Sequence, residues 1–106
     1  MKVSTDAMLF GSWCNPKNAQ RILDIGTGTG LLSLMLAQRA TDNAQITAIE
    51  IDADAAQQAK ENIALSPWSQ QIQVHHRAFQ DYCLAWQSQN SPPFDLIVSN
   101  PLLITT

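Results

Sequence analysis

The run Asp24-Ile-Gly26-Thr-Gly28-Thr-Gly30 constrains this chain more than any other segment. It begins inside Arg21-Ile-Leu-Asp-Ile25, which reads as a short strand, and it leads into Leu31–Arg39. There Leu31, Leu32, Leu34, Met35, Leu36 and Ala37 are apolar on nearly every side, the pattern of a buried helix. Arg39 falls in its last turn, where a cation favours the helix dipole. Glycines between a strand and a helix let the backbone take positive φ and let a ligand approach the main chain closely. Glu50 stands 24 residues beyond Gly26, at the end of the next strand. In a parallel sheet those two strand ends are neighbours, so a carboxylate there can accept both hydroxyls of a bound ribose.

The rest of the chain continues the alternation. Thr5 to Trp13 reads as a short helix followed by a loop. Gln45-Ile-Thr-Ala-Ile49 alternates toward a second strand, and Asp52 is placed to cap a helix over 54–65 with Asp54 in its first turn. Ala56, Ala59 and Ile63 form one stripe of that helix, which stops at Ser66-Pro67. Gln71–Val74 is a third strand, Gln80–Ser88 a helix, Ser91-Pro-Pro93 a break and Phe94–Val98 a fourth strand. Strands alternating with helices predict an α/β fold, a doubly wound and mostly parallel sheet with right-handed crossovers.

Composition narrows the function classes. With 106 residues the chain holds one domain, 1–106, and 45 % apolar residues exclude disorder by composition. Only 14 % of residues are charged, against about 25 % in soluble domains, as if surface normally covered by another segment were exposed. A net charge of −3 excludes a basic nucleic-acid module that shows its charge in composition. No apolar run approaches the roughly 18 residues of a membrane span, and the N-terminus lacks a signal peptide's layout. Cys14 and Cys83 lie 69 apart with no C-x-x-C spacing, which reads as two free thiols in a reducing cytoplasm. His75 and His76 are adjacent in a strand, so their side chains diverge and no metal site is expected. Trp13, Trp68 and Trp86 read as packing or partly exposed residues, Arg77 as solvated, and Lys60-Glu61 as a solvated helix face.

Two ligand classes use a glycine turn with an acid on the next strand. Dinucleotide sites carry G-x-G-x-x-G, with the pyrophosphate on the helix N-terminus. Here the third glycine comes one position early and Asp24 precedes the turn. That acid would repel a pyrophosphate and suits a ligand carrying an ammonium group, as S-adenosylmethionine does. Together with Asn100-Pro101 after the fourth strand, these residues resemble the class I S-adenosylmethionine-dependent methyltransferases. Within them the chain is similar to the tRNA adenine-N6 methyltransferases that act on valine tRNA. The likeness runs from Lys2-Val-Ser-Thr-Asp6 through RILDIGTGTGLLSLMLAQR and AIEIDADAAQQAKENI to FDLIVSNP.

The resemblance implies roles. Gly26, Thr27, Gly28 and Gly30 would pass under the methionine part of the cofactor, and Asp24 would help hold its amino group. Glu50 would take the ribose hydroxyls, Ile51 would pack on the adenine, and Ala78 and Phe79 would border it. Lys2, Thr5 and Asp6 match a segment near the cofactor. Asn100 counts with both the cofactor-binding and the catalytic residues, and Pro101 with the catalytic ones. The substrate would be an exocyclic amine, whose ring-delocalised lone pair makes it a poor nucleophile. Acceptance of its two hydrogens by the Asn100 side-chain oxygen and the Pro101 carbonyl would turn the lone pair toward the methyl. A target base in tRNA would have to be unpaired or flipped out.

The pattern then departs from the family. Leu102-Leu103 stand where a second proline and a base-stacking aromatic belong. Three further family strands are absent, so strand four is expected to be an open edge through which the chain could self-associate. These features read as the cofactor-binding half of a methyltransferase, truncated and catalytically poor. A protein glutamine methyltransferase uses a similar N-P-P-aromatic motif and stays open as an alternative, as does a non-catalytic cofactor-binding remnant. A nicotinamide oxidoreductase is disfavoured by the early third glycine.

Overall fold

The computed structural model describes residues 19–90 and 92–99. Four strands, β1 (Arg21–Ile25), β2 (Gln45–Glu50), β3 (Ile72–His76) and β4 (Leu96–Ser99), form one sheet in the order β3-β2-β1-β4 with every pair parallel. Parallel neighbours require a crossover, and three helices supply it: α1 (Leu31–Arg39), α2 (Ala53–Ala64) and α3 (Phe79–Ser88). Register sets what each face carries. Asp24 lies between Ala48 and Val98, and Glu50 lies beside His76. Ile22, Ile46, Ile72, Leu96 and Val98 share that face and meet Leu36 and Ala37 of α1 and Ile63 of α2 in the core. The opposite face carries Arg21, Gln45, Thr47, Gln73 and His75, which with Tyr82, Ala85 and Trp86 of α3 line a polar cavity of about 360 Å³. Helices on both faces make the sheet doubly wound, as the alternating pattern predicts, in the Rossmann-like arrangement that the family resemblance implies.

Local chemistry explains the element ends. The Asp52 side chain accepts the Ala55 N–H at 2.8 Å and starts α2 as the sequence implied. The helix ends one residue early, with Leu65 as its C-cap. β1 and α1 keep their expected bounds because the glycine turn between them leaves no other place to change direction. Elsewhere tertiary bonds move the boundaries. β2 runs one residue further to Glu50, α3 begins at Phe79, and β3 is shifted to Ile72–His76. β4 begins at Leu96, not Phe94. Asp95 is used as a clamp instead: its Oδ2 accepts the N–H groups of Gln20 and Arg21 at 2.7 and 3.0 Å, and its own N–H donates to the Arg21 carbonyl.

α1 is not buried all round. Ser33, Leu36 and Ala37 are buried, while Leu31 and Met35 are 66 % and 50 % exposed. The helix lies over one face of the sheet, and among the described residues no layer lies above its far side. Among the described residues β4 is paired only with β1. The helix expected over 5–13, with Cys14, lies outside the described residues.

Candidate functional site

The carboxyl ends of β1 and β2 meet under the glycine turn. Gly26, Gly28 and Gly30 all take left-handed φ, at 73°, 61° and 91°. The turn is stitched to β2 by the N–H groups of Gly26 and Thr27, which donate to the Ile49 carbonyl at 2.8 and 3.1 Å. It is tied to α2 by the Asn62 amide, which donates to the Thr29 carbonyl at 2.9 Å. Gly30 also sits where a Cβ would lie 3.3 Å from Ala59 Cβ and 3.4 Å from Ile63 Cδ1, so its lack of a side chain lets α1 start hard against α2.

Two buried carboxylates flank this turn on the same face of the sheet. Glu50 ends β2: its Oε1 accepts the Gly28 N–H at 2.6 Å and its Oε2 accepts the Asp52 N–H at 3.0 Å. Each oxygen keeps a lone-pair site for a further donor. Asp24 is fully buried. Its Oδ2 accepts two hydroxyls, from Thr27 at 2.8 Å and from Ser33 at 2.7 Å. Its Oδ1 is equally buried and has no partner among the described residues. Burial pushes the Asp24 carboxyl above the usual carboxylate range; the Ser33 and Thr27 bonds oppose that rise, and the charge of Glu50 adds to it.

Beyond Glu50 the lining turns apolar. Ile51, just after β2, is 68 % exposed, and Phe79, the first residue of α3, is 39 % exposed. The Arg77 N–H donates to the Glu50 carbonyl at 3.1 Å and so fixes the segment leading to Ala78 and Phe79 against β2. His76 Nε2 lies 3.1 Å from the Ile51 carbonyl, while the His75 ring sits 5.8 Å from Tyr82.

The structure therefore brings Asp24, Gly26, Thr27, Gly28, Gly30 and Glu50 to one turn, with Ile51, Ala78 and Phe79 along the same strand ends. Lys2, Thr5, Asp6, Asn100 and Pro101 lie outside the described residues. Ser99, the last residue of β4, is buried opposite Ile25. The Thr27 hydroxyl is occupied with Asp24, so its side chain acts on the carboxylate. Sequence reasoning missed Ser33. Its signal was a lone hydroxyl in the apolar run Leu-Leu-Ser-Leu-Met-Leu, nine residues after Asp24.

Comparison with known proteins agrees with this architecture. Residues 4–104 match the model of the methyltransferase small domain. Over 101 residues the chain is 52 % identical to a tRNA1(Val) (adenine(37)-N6)-methyltransferase of Cronobacter sakazakii and 54 % identical to that of Salmonella enteritidis. Those matches cover 95 % of this chain and 40 % of each relative, so the chain spans well under half of their length. Among solved structures, an O-methyltransferase of Bacillus cereus in complex with SAH superposes with a TM-score of 0.77 at 23 % identity, covering 92 % of this chain and 45 % of that one. The O-methyltransferase TomG of Streptomyces achromogenes, in complex with SAM, gives 0.73 at 24 % identity, covering 92 % and 44 %. These two show a shared fold. With its parallel sheet, its glycine turn between two buried carboxylates and a family match over nearly its whole length, the chain belongs to the methyltransferase small domain family.

Proposed function

We propose that residues 1–106 form a single domain, the S-adenosylmethionine-binding part of a cytoplasmic methyltransferase that modifies the exocyclic N6 amine of an adenine in tRNA. The observation that carries the cofactor reading is the Asp24 carboxyl, fully buried at the head of the turn with one oxygen saturated and the other unpartnered. A buried carboxylate oxygen without a donor is costly, and a ligand ammonium supplies the donor it lacks. A pyrophosphate at the same place would meet two buried acids. The tRNA substrate rests on the names of the relatives, which are 52 % and 54 % identical to this chain over 101 residues.

The residues present fit the cofactor. Asp24 would hold the ammonium, and the positive-φ glycines would let the methionine part lie against the backbone. Glu50 would accept the ribose hydroxyls at the lone-pair sites left beside the Gly28 and Asp52 bonds. Ile51 and Phe79 would cover the adenine, each square ångström of apolar surface so buried contributing about 25 cal/mol. When bound, the cofactor supplies a methyl group already activated on a sulfonium. The chain's task is then to fix that group and to exclude water from it. Asn100 and Pro101 follow Ser99 directly and would accept the hydrogens of the substrate amine. No helix among the described residues is long and apolar enough to cross a membrane.

Thermal melts of the chain with excess S-adenosylmethionine and with excess NAD test the cofactor. An upward shift with the first alone is expected; a shift with NAD alone overturns the reading. For the substrate, deletion of the gene in the source cell should remove N6-methyladenosine from valine tRNA. An unchanged tRNA nucleoside profile would overturn that part.

A further inference from the structure

Ser33 is the only polar residue among the first six of α1, and it is completely buried. A serine in that position weakens a helix unless its hydroxyl has a use. Its Oγ donates to Asp24 Oδ2 at 2.7 Å and lies 3.4 Å from Thr27 Oγ1, which donates to the same oxygen. Two donors thus converge on one carboxylate oxygen while the other, equally buried, receives none. If the hydroxyls served only to bury the acid, one donor to each oxygen would satisfy it better. We propose that Ser33, with Thr27, is a positioning residue that ties up Oδ2 of Asp24 and so presents Oδ1 as the single acceptor for the ammonium group of the ligand. The inference rests on the cofactor reading and goes beyond it in assigning this role to a helix residue that acts through the Asp24 carboxyl.

The arrangement has an electrostatic consequence. Hydroxyl donors favour the charged carboxylate, and burial among apolar neighbours favours the neutral acid. Around Asp24, β4 contributes Val98, α1 contributes Ser33 and the turn contributes Thr27, none of them charged. β2 contributes Ala48 opposite it and the Glu50 carboxylate further along the same face, with His76 beyond on β3. Among the described residues no positive charge acts on Asp24, so the ligand's ammonium would be what neutralises it. Without the Ser33 bond the acid keeps its proton to higher pH, and the ammonium must then displace that proton into solvent.

Titration calorimetry with two probes separates the possibilities. S-adenosylhomocysteine carries the ammonium; 5′-methylthioadenosine keeps the adenosine and the thioether but lacks the amino-acid part. For Ser33→Ala and Thr27→Val, S-adenosylhomocysteine binding should weaken about tenfold, the scale of one hydrogen bond to a charged group, and the loss should shrink as pH rises across a series. Binding of 5′-methylthioadenosine should be unchanged. Thr27→Ser, which retains the hydroxyl, should behave as the unaltered chain. In the ligand-free chain, the Asp24 carboxyl carbon followed by NMR should titrate at higher pH in Ser33→Ala. Equal losses for both probes, losses independent of pH, or an unmoved Asp24 titration would overturn the proposal. If the unaltered chain binds neither probe, the cofactor reading itself falls and takes this inference with it.

Discussion

The Gly28 N–H donates to Glu50 Oε1 at 2.6 Å, so the acid at the end of β2 holds the middle of the glycine turn in place before any ligand is considered. The second oxygen of the same carboxylate accepts the Asp52 N–H and fixes the entry into α2. One side chain therefore joins the turn after β1 to the helix after β2.

Glu50→Ala should accordingly harm both stability and cofactor affinity. Two backbone N–H groups lose their acceptor, a cost of about 2 kcal/mol, which for a domain of this size lowers Tm by about 10 °C. Glu50→Gln keeps one oxygen acceptor and should lose less stability while still weakening the cofactor. Paired thermal melts and titration calorimetry check both. An Ala variant that melts like the unaltered chain would mean the turn stands without Glu50.

Asp24 and Asp95 should give opposite pH dependences. Burial raises the folded-state pKa of Asp24, so its contribution to stability is fully present below the ordinary carboxylate value and is lost as pH rises through the folded value. The backbone N–H groups of Gln20 and Arg21 hold the Asp95 carboxyl below its ordinary range. Its contribution is present above that range and is lost as pH falls through the folded value. Asp24→Asn should therefore make the ligand-free chain more stable at pH 7 and flatten its profile above the ordinary carboxylate range. With Asp95→Asn, the gap from the unaltered chain should be full above about pH 4 and should close in stronger acid. Melts across pH with each variant decide the two signs separately.

Gly30 is restricted by backbone angle and by space together. Gly30→Ala must hold φ near 91°, where L-residues are strained, and must push its Cβ toward Ala59 and Ile63. A loss of about 2 kcal/mol is expected. Adding Ala59→Gly opens the space and leaves the angle, so urea unfolding of the double variant should recover only part of any steric loss. Full recovery would show that packing alone selects glycine here.

How far the sequence disclosed this site depended on the range of the interactions. β1, the turn and α1 were legible because glycine conformation and strand pattern are local, and the Asp52 cap was legible for the same reason. Glu50 was legible because a fixed separation from the turn places it on the neighbouring strand end. Phe94-Asp95 reads as strand because nothing local announces that Asp95 will bond residues 75 and 74 positions earlier. α1 reads as a buried helix because composition shows how apolar a helix is and not how many sides of it are covered. Ser33 escaped because a small residue in a core helix looks like packing until the distance to Asp24 is known.

The attachment of α3 gives the last prediction. No residue of this helix is fully buried, so it lacks the apolar anchor that Ala56, Ala59 and Ile63 give α2. It is held at one end by a polar and aromatic cluster instead. The Trp86 ring stacks on Phe94 with centroids 6.3 Å apart, and its Nε1–H donates to the Pro92 carbonyl at 3.1 Å. The Arg21 guanidinium lies 5.2 Å from the Phe94 ring centroid, and its Nε–H donates to the Pro93 carbonyl. Trp86→Ala removes the stacking and the indole bond together, while the core face of the sheet, under α1 and α2, is untouched. Local opening of a weakly anchored element proceeds at lower free energy than global unfolding. Amide hydrogen exchange over residues 79–88 should therefore speed up markedly in Trp86→Ala, with exchange in β1 and β2 almost unchanged. Uniform acceleration through the sheet would mean instead that α3 is part of the cooperative core and that the polar cavity beneath it closes in solution.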